Sequence, residues 1–203
     1  DIEHALLNNQ RLVFVTYDYN KYFDSFDHQF TSELLKHFGL PPNFVDAWIK
    51  LNGSLMKAIK IGRHIGPEFQ QFNGVGQGDP ISLIPALVLT SIQFRIIDKK
   101  FPAIHKGAVV DDCNFRGSYS DLAKMHRLVV QFDEASGHSM QDDKTTFAAT
   151  HADDRRRLKL DKDLHTNGVP PKVAGHLVLV GDIISTQNRL RRAEPDARVA
   201  DAA

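Results

Sequence analysis

KGAVVDDCNFRG, residues 106–117, sets two strand-forming runs on either side of Asp111 and Asp112. Short runs of this kind around a pair of turn-forming residues predict a β-hairpin with the two acids at its tip. A hairpin is antiparallel by construction. Upstream, RLVFVTY (residues 11–17) is rich in β-branched and aromatic residues and predicts a strand that stops at Asp18. A second hairpin is expected from residues 55–61 and 66–72, with Gly62 and Gly66 near its turn. Between these strands the apolar period changes to that of a helix. Phe30, Leu34, Leu35 and Phe38 mark a helix over 28–38 that Gly39 ends, and Pro41-Pro42 opens another over about 43–52. A long helix is expected over 81–99, with Pro85 tolerated in its first turn. An amphipathic helix follows over 119–136, with Leu122, Met125, Val129 and Phe132 on one face and Ser120 or Asp121 as its cap. Strands are expected near 145–150 and over 176–185, around Gly181, while 151–172 reads as a charged surface loop. Helices alternating with hairpins point to an α+β domain, an antiparallel sheet with helices on one face, and not to a doubly wound parallel sheet.

The totals bound what such a domain can do. At 203 residues and 42% hydrophobic content the chain can bury a sizeable core. Lys plus Arg equals Asp plus Glu, 25 against 25, so there is no net basic excess to advertise nucleic-acid binding. One cysteine excludes an internal disulfide and suits a reducing compartment, with an intracellular protein of nucleus or cytoplasm expected. No apolar run reads as a membrane span and no signal peptide is evident, so no membrane partner is expected. The chain opens on Asp1 and not on Met, which reads as a fragment or a processed product.

The acids carry the chemistry. Asp18 closes one strand, and Asp111 with Asp112 occupies the tip of a hairpin. Adjacent carboxylates repel, more so when desolvated. A chain keeps them at little cost if they are solvated or if a divalent cation neutralises them. Hard oxygen ligands from a few carboxylates, completed by water and phosphate, are how Mg²⁺ is usually held. If the first strand lies beside the hairpin, Asp18 and Asp111 meet. That would suit two ions roughly 3.5–4 Å apart, as in-line phosphoryl transfer requires. Two aspartates at a hairpin tip also make a good turn with no further purpose. The acids alone leave both readings standing.

Five segments in order resolve this by resemblance. DYNKYFDSFDH (18–28), NGVGQGDPIS (73–82), VVDD (109–112), SGHSMQDDKT (136–145) and LVGDI (179–183) occur in the sequence of motifs found in reverse transcriptases. The chain most resembles those of non-LTR retrotransposons and group II introns. Departures from the family pattern are Val109 and Val110 before the acids, Gly76 before Gln77, Leu83 after the loop serine, and Gln141 before the late lysine.

The resemblance implies a polymerase palm with partial fingers over 1–185. It makes 186–203 a polar tail or the truncated start of a thumb. It implies RNA-directed DNA polymerase activity, with two Mg²⁺ or Mn²⁺ ions held by Asp18 and Asp111 and Asp112 as the supporting acid. Backbone N–H groups of Lys21 and Tyr22 would meet the triphosphate, and Phe23 would stand under the sugar and exclude a 2′-hydroxyl. Gln77 and Gly78 would line the nucleotide and template pocket, and Lys144 would protonate the leaving pyrophosphate. Leu179, Val180 and Gly181 would sit near the primer end. Implied partners are an RNA or DNA template with its primer and deoxynucleoside triphosphates, with no oligomeric state indicated. The rival expectations are a catalytically inactive remnant of a mobile element that binds nucleic acid or another partner, and an RNA-making polymerase or nucleotide cyclase on a similar sheet.

Overall fold

The structure, a computed structural model, describes residues 5, 7–165, 168–179 and 182–185. Its centre is strand β1, Val13–Tyr17. The strand pairs antiparallel on one side with β5 (Asp112–Gly117) and on the other with β6 (Thr146–Ala149). Strand β4 (His105–Val109) completes the acid-bearing hairpin with β5, and β7 (Lys172–Ala174) adds in parallel to β6. The sheet order is β4-β5-β1-β6-β7. Two hairpins stand apart from it: β2 (Met56–Ile61) with β3 (His64–Gln70), and β8 (His176–Leu179) with β9 (Asp182–Ser185).

Directly opposed antiparallel residues share a face. Val15, Phe115 and Phe147 are opposed in register, so they point together, and all three are buried. Against this face lie α3 (Leu83–Lys100) and α4 (Tyr119–Ser136). Phe94 meets Phe115 edge-on at 5.7 Å, and His126 meets Phe147 at 5.4 Å. Two shorter helices, α1 (His28–His37) and α2 (Pro42–Ser54), contribute Leu35, Val45 and Trp48 to the same core. By length and apolarity the segment Pro80–Lys100 would suit a bilayer, which the sequence reading did not anticipate. In this fold its Ala86, Leu89 and Ile97 are buried as core of the domain.

Several local expectations change. Gly66 lies inside β3 near a register shift, where a Cβ would come 3.4 Å from the Ile59 carbonyl; the turn itself is formed around Gly62. The cap of α4 is Ser118, whose hydroxyl accepts from the Asp121 N–H, so neither Ser120 nor Asp121 is the N-cap. Residues 151–172 are a surface loop only in part, at the exposed stretch 168–170. They contain α5 (Ala152–Leu160) and a 3-10 turn, Lys162–Leu164, and they bury Leu158, Leu164 and Asp154. Asp154 receives two bonds from the Arg11 guanidinium, at 2.7 and 3.0 Å. That fork ties the entry of β1 to α5, and α5 is the crossover that lets β7 run parallel to β6.

His126 gives the fold an acid-sensitive point. It is buried on α4 with the Tyr17 hydroxyl 2.9 Å from Nδ1. Burial holds its pKa down at about 4 from the ordinary 6.5, against a smaller opposing pull from the Leu164 backbone. Between those values the unfolded chain takes a proton that the folded chain refuses, so this contribution is lost as pH falls from about 6.5 to about 4. Relative to His126→Phe, wild type is expected to lose on the order of 3 kcal/mol of unfolding free energy between neutral pH and pH ~4. Urea titrations of both proteins across that range check it; a pH-independent difference would show that the imidazole is not the group responsible.

Candidate active site

Strand register brings the acids together. Tyr17 is opposite Cys113, so the next rung sets position 18 beside position 112. Tyr17 and Cys113 are both buried, and strand alternation therefore directs Asp18 and Asp112 towards the opposite face. Val109 pairs with Asp112, which leaves Val110 and Asp111 as the two turn residues. Asp112 is thus the first residue of β5 and not part of the tip, as the sequence reading had it. The Asp112 carboxyl is raised above its ordinary value, by partial burial first and then by the charges of Asp111 and Asp18. Three carboxylates are close enough to feel one another across a strand end.

The turn beside them is strained. Val110 has φ 59, a left-handed value that costs a β-branched residue more than any other. Val110→Gly is expected to raise unfolding free energy by about 1 kcal/mol, the net of relieved strain and the extra freedom of glycine in the unfolded chain. A denaturant melt in which the glycine variant is less stable would show that the Val110 side chain contributes more packing than strain.

The segment after α4 lies alongside Asp18. Gln141 N–H donates to the Asp18 carbonyl at 2.8 Å, Asn20 N–H donates to the Ser139 carbonyl at 2.9 Å, and Tyr19 bridges to Met140. This brings the Lys144 ammonium to 3.9 Å from an Asp18 carboxylate oxygen. Both side chains are substantially solvated, so the pair is a weak one and Lys144 is free to change partners.

Lys21, at φ 45 and ψ 48, turns the chain from Asp18 into a 3-10 turn, Tyr22–Ser25. The Tyr22 ring is buried, with Phe23 at 5.6 Å and Phe26 at 5.3 Å, both edge-on. The glycine-rich loop is pinned to this turn. Val75 N–H donates to the Phe23 carbonyl at 2.9 Å and Gly74 N–H to the Phe26 carbonyl at 2.7 Å. His28 Nε2 lies 2.6 Å from the Gly74 carbonyl. From α2, the Trp48 indole N–H donates to one Asp79 carboxylate oxygen at 3.0 Å, while Asn52 Oδ1 accepts from the Gly76 N–H at 3.2 Å. The other Asp79 oxygen caps the helical turn at Ile81. Gln77 and Gly78 are left exposed between these two anchors.

The sequence reading overlooked Gly74, Trp48, Asn52, Asp79 and His28. Two signals were available: Asp79-Pro80 is a helix-start pattern, and Trp48 with Asn52 is an i,i+4 pair able to present one face. Leu179 lies at the end of β8 opposite Asp182, while Val180 and Gly181 are outside the described residues.

Among the described residues no group of three or more His, Cys, Asp or Glu side chains forms a ready metal cage. The donor set at the strand ends is nonetheless all carboxylate oxygen. It also carries the mutual repulsion that a hard divalent cation relieves, and Mg²⁺ commonly takes only one or two protein carboxylates with phosphates and water.

Solved structures of telomerase, a reverse-transcriptase-related enzyme, share this fold of a mostly antiparallel sheet backed by helices. That of Candida albicans in complex with a TWJ fragment of telomeric RNA matches at TM-score 0.58 and 14% identity, over 92% of this chain and 32% of that one. Apo telomerase of Candida tropicalis, truncated from its C-terminal domain, matches at 0.57 and 16%, over 91% and 36%. The Candida tropicalis enzyme with a TWJ fragment matches at 0.56 and 15%, over 74% and 28%. At these identities the likeness is one of fold, and the chain spans about a third of the length of those proteins. No family model and no curated protein matches the chain.

Proposed function

We propose that this chain is the palm portion of an RNA-directed DNA polymerase, of the kind found in non-LTR retrotransposons and group II introns, working inside the cell. The observation that carries the reading is the register that sets Asp18 beside Asp112 and next to Asp111, with Lys144 at 3.9 Å from Asp18. Asp18 and Asp111, supported by Asp112, would hold two Mg²⁺ or Mn²⁺ ions. When bound, these supply Lewis-acid activation of a primer 3′-hydroxyl and charge stabilisation at the phosphates. The residues of the chain do the rest. The turn at Lys21 and Tyr22 receives the triphosphate, Gln77 and Gly78 line the pocket over it, and Lys144 Nζ gives a proton to the departing pyrophosphate. Substrates on this reading are a primed RNA or DNA template and deoxynucleoside triphosphates.

Phe23 would select the sugar. Its backbone is fixed by Val75 and its ring by Tyr22, so it cannot easily withdraw from a 2′-hydroxyl. Phe23→Ala is expected to raise the ratio of ribonucleotide to deoxynucleotide incorporation by about tenfold or more, the scale of removing one steric clash. Single-nucleotide primer extension with both sugars measures it, and an unchanged ratio would remove Phe23 from that role. Equal use of both sugars by wild type would favour an RNA-making enzyme.

A second reading is favoured by the balance of 25 basic against 25 acidic residues and by the departures Val109, Val110, Gly76 and Gln141 from the family motifs. In it the chain is a catalytically inactive remnant that binds nucleic acid. Tight binding of primer–template with no incorporation in Mg²⁺ or Mn²⁺ would decide for it.

A further inference from the structure

Behind the acids, on the core side, lies a polar cluster with no part in the reaction described above. Asp133 on α4 and His138 just beyond it are 4% and 5% exposed. Both line a cavity of about 10 Å³, together with Tyr19, Tyr22, Thr90 and Gln93. That is roughly the room a single water molecule needs.

The hydrogen-bonding inventory of the two side chains is complementary. Asp133 Oδ1 accepts from the Tyr19 hydroxyl at 3.4 Å and from the Gln93 amide at 3.3 Å, while Oδ2 is buried without a partner. Burial raises the Asp133 pKa to about 8, so the carboxyl keeps its proton at neutral pH and Oδ2 can carry it as a donor. His138 Nδ1 lies 3.1 Å from the Ser136 carbonyl, which can only accept, so Nδ1 carries the ring hydrogen. His138 Nε2 is then a bare acceptor, and it too is buried without a partner. An orphan donor and an orphan acceptor thus belong to two residues that line the same one-water cavity. Leaving either unsatisfied is costly, and a bridging water satisfies both.

We propose that Asp133 and His138 hold one buried water between them, and that this bridge is the positioning device for Tyr19 and Tyr22 beneath the nucleotide turn. The rings support the second half. His138 packs on Tyr22 and on Phe26 at 4.8 Å each, and Tyr19 directly follows Asp18 in the chain. Asp133 and His138 act through these tyrosines and touch no substrate. The effect on nucleotide use rests on the polymerase reading; the water site does not.

The test is a double-mutant cycle with an isosteric control. Asp133→Asn offers an acceptor and a neutral donor in the same shape, and should keep both the bridge and nucleotide KM within about twofold of wild type. Asp133→Leu and His138→Phe each remove one end, and each should raise nucleotide KM by about tenfold with a smaller change in kcat. The double variant should lose less than the sum of the two single losses in KM and in unfolding free energy, because each single variant already loses the shared bridge and it can be lost only once. A high-resolution crystal structure of wild type and of Asp133→Asn should show one water bonded to both residues. Additive losses, a dry cavity, or an Asn variant as damaged as the Leu variant would overturn the proposal. If Asp133→Leu fails to fold, the Asn variant, the His138→Phe variant and the crystal structure still decide it. If wild type incorporates no nucleotide, the polymerase reading fails, while the stability cycle and the water density still test the bridge.

Discussion

Asp111→Asn is expected to abolish primer extension and leave the domain as stable as before, or more so. The two effects have separate causes. On the proposed reading the Asp111 carboxylate is a metal ligand, and losing it removes several kcal/mol of transition-state stabilisation, a rate loss of about 10³-fold or more. Folding gains from the same change. Asp111 helps hold the Asp112 carboxyl above its ordinary value, and Asp18 acts in the same direction, so the three charges repel in the native state. An amide of the same shape removes one of them and still suits a hairpin turn. Primer extension in Mg²⁺ paired with a denaturant melt reads both. Full activity in the variant would remove Asp111 from the site, and joint loss of activity and fold would make it a structural residue.

Gly74→Ala should be among the most damaging single-methyl additions in the chain. Gly74 has φ +89, where an L side chain is strained by itself. Its Cβ would also fall 2.8 Å from the Asp24 Cα and 3.0 Å from the Asp24 carbonyl oxygen, both backbone atoms of the 3-10 turn. They cannot move aside without displacing the turn that carries Tyr22 and Phe23. Left-handed strain of about 1–3 kcal/mol and overpacking of about 1–3 kcal/mol put the total near 2–6 kcal/mol. Gly78→Ala is the control. It has φ +87, but a Cβ there meets nothing within 4 Å, so only the strain term applies. Urea titration of both variants separates the terms; equal losses would mean that the loop can lift off the turn freely. Gly78 attracted notice in the sequence because it follows Gln77. The close approach is made by Gly74, and no pattern of glycines could have told the two apart.

Much of the fold was legible because it rests on local order. The hairpin around Asp111, the strand ending at Asp18 and the helix over 119–136 each follow from apolar period and turn chemistry within about twenty residues. The failures share another cause. ADDRRRLKL in α5 has almost no apolar stripe, and what holds it is the burial of Leu158 and the fork from Arg11 to Asp154, 143 residues away. Missing that helix meant missing the crossover, and with it the parallel strand β7. Asp112 was assigned to the tip because two acids look alike in sequence, whereas pairing with Val109 counts it into the strand.

Sequence alone settled which residue types are available at the strand ends, and in what order: an acid after β1, a pair of acids at the hairpin, a lysine after α4. It did so because strands, helices and turns are dictated by near neighbours along the chain. Only the tertiary structure decided which of those groups meet. The register of β1 on β5 puts Asp18 beside Asp112, the Gly74 backbone is pressed against Asp24, and Asp133 faces the same small cavity as His138. Such meetings depend on how distant segments share one buried face, and the free energy that selects them belongs to the whole core and not to any stretch of it.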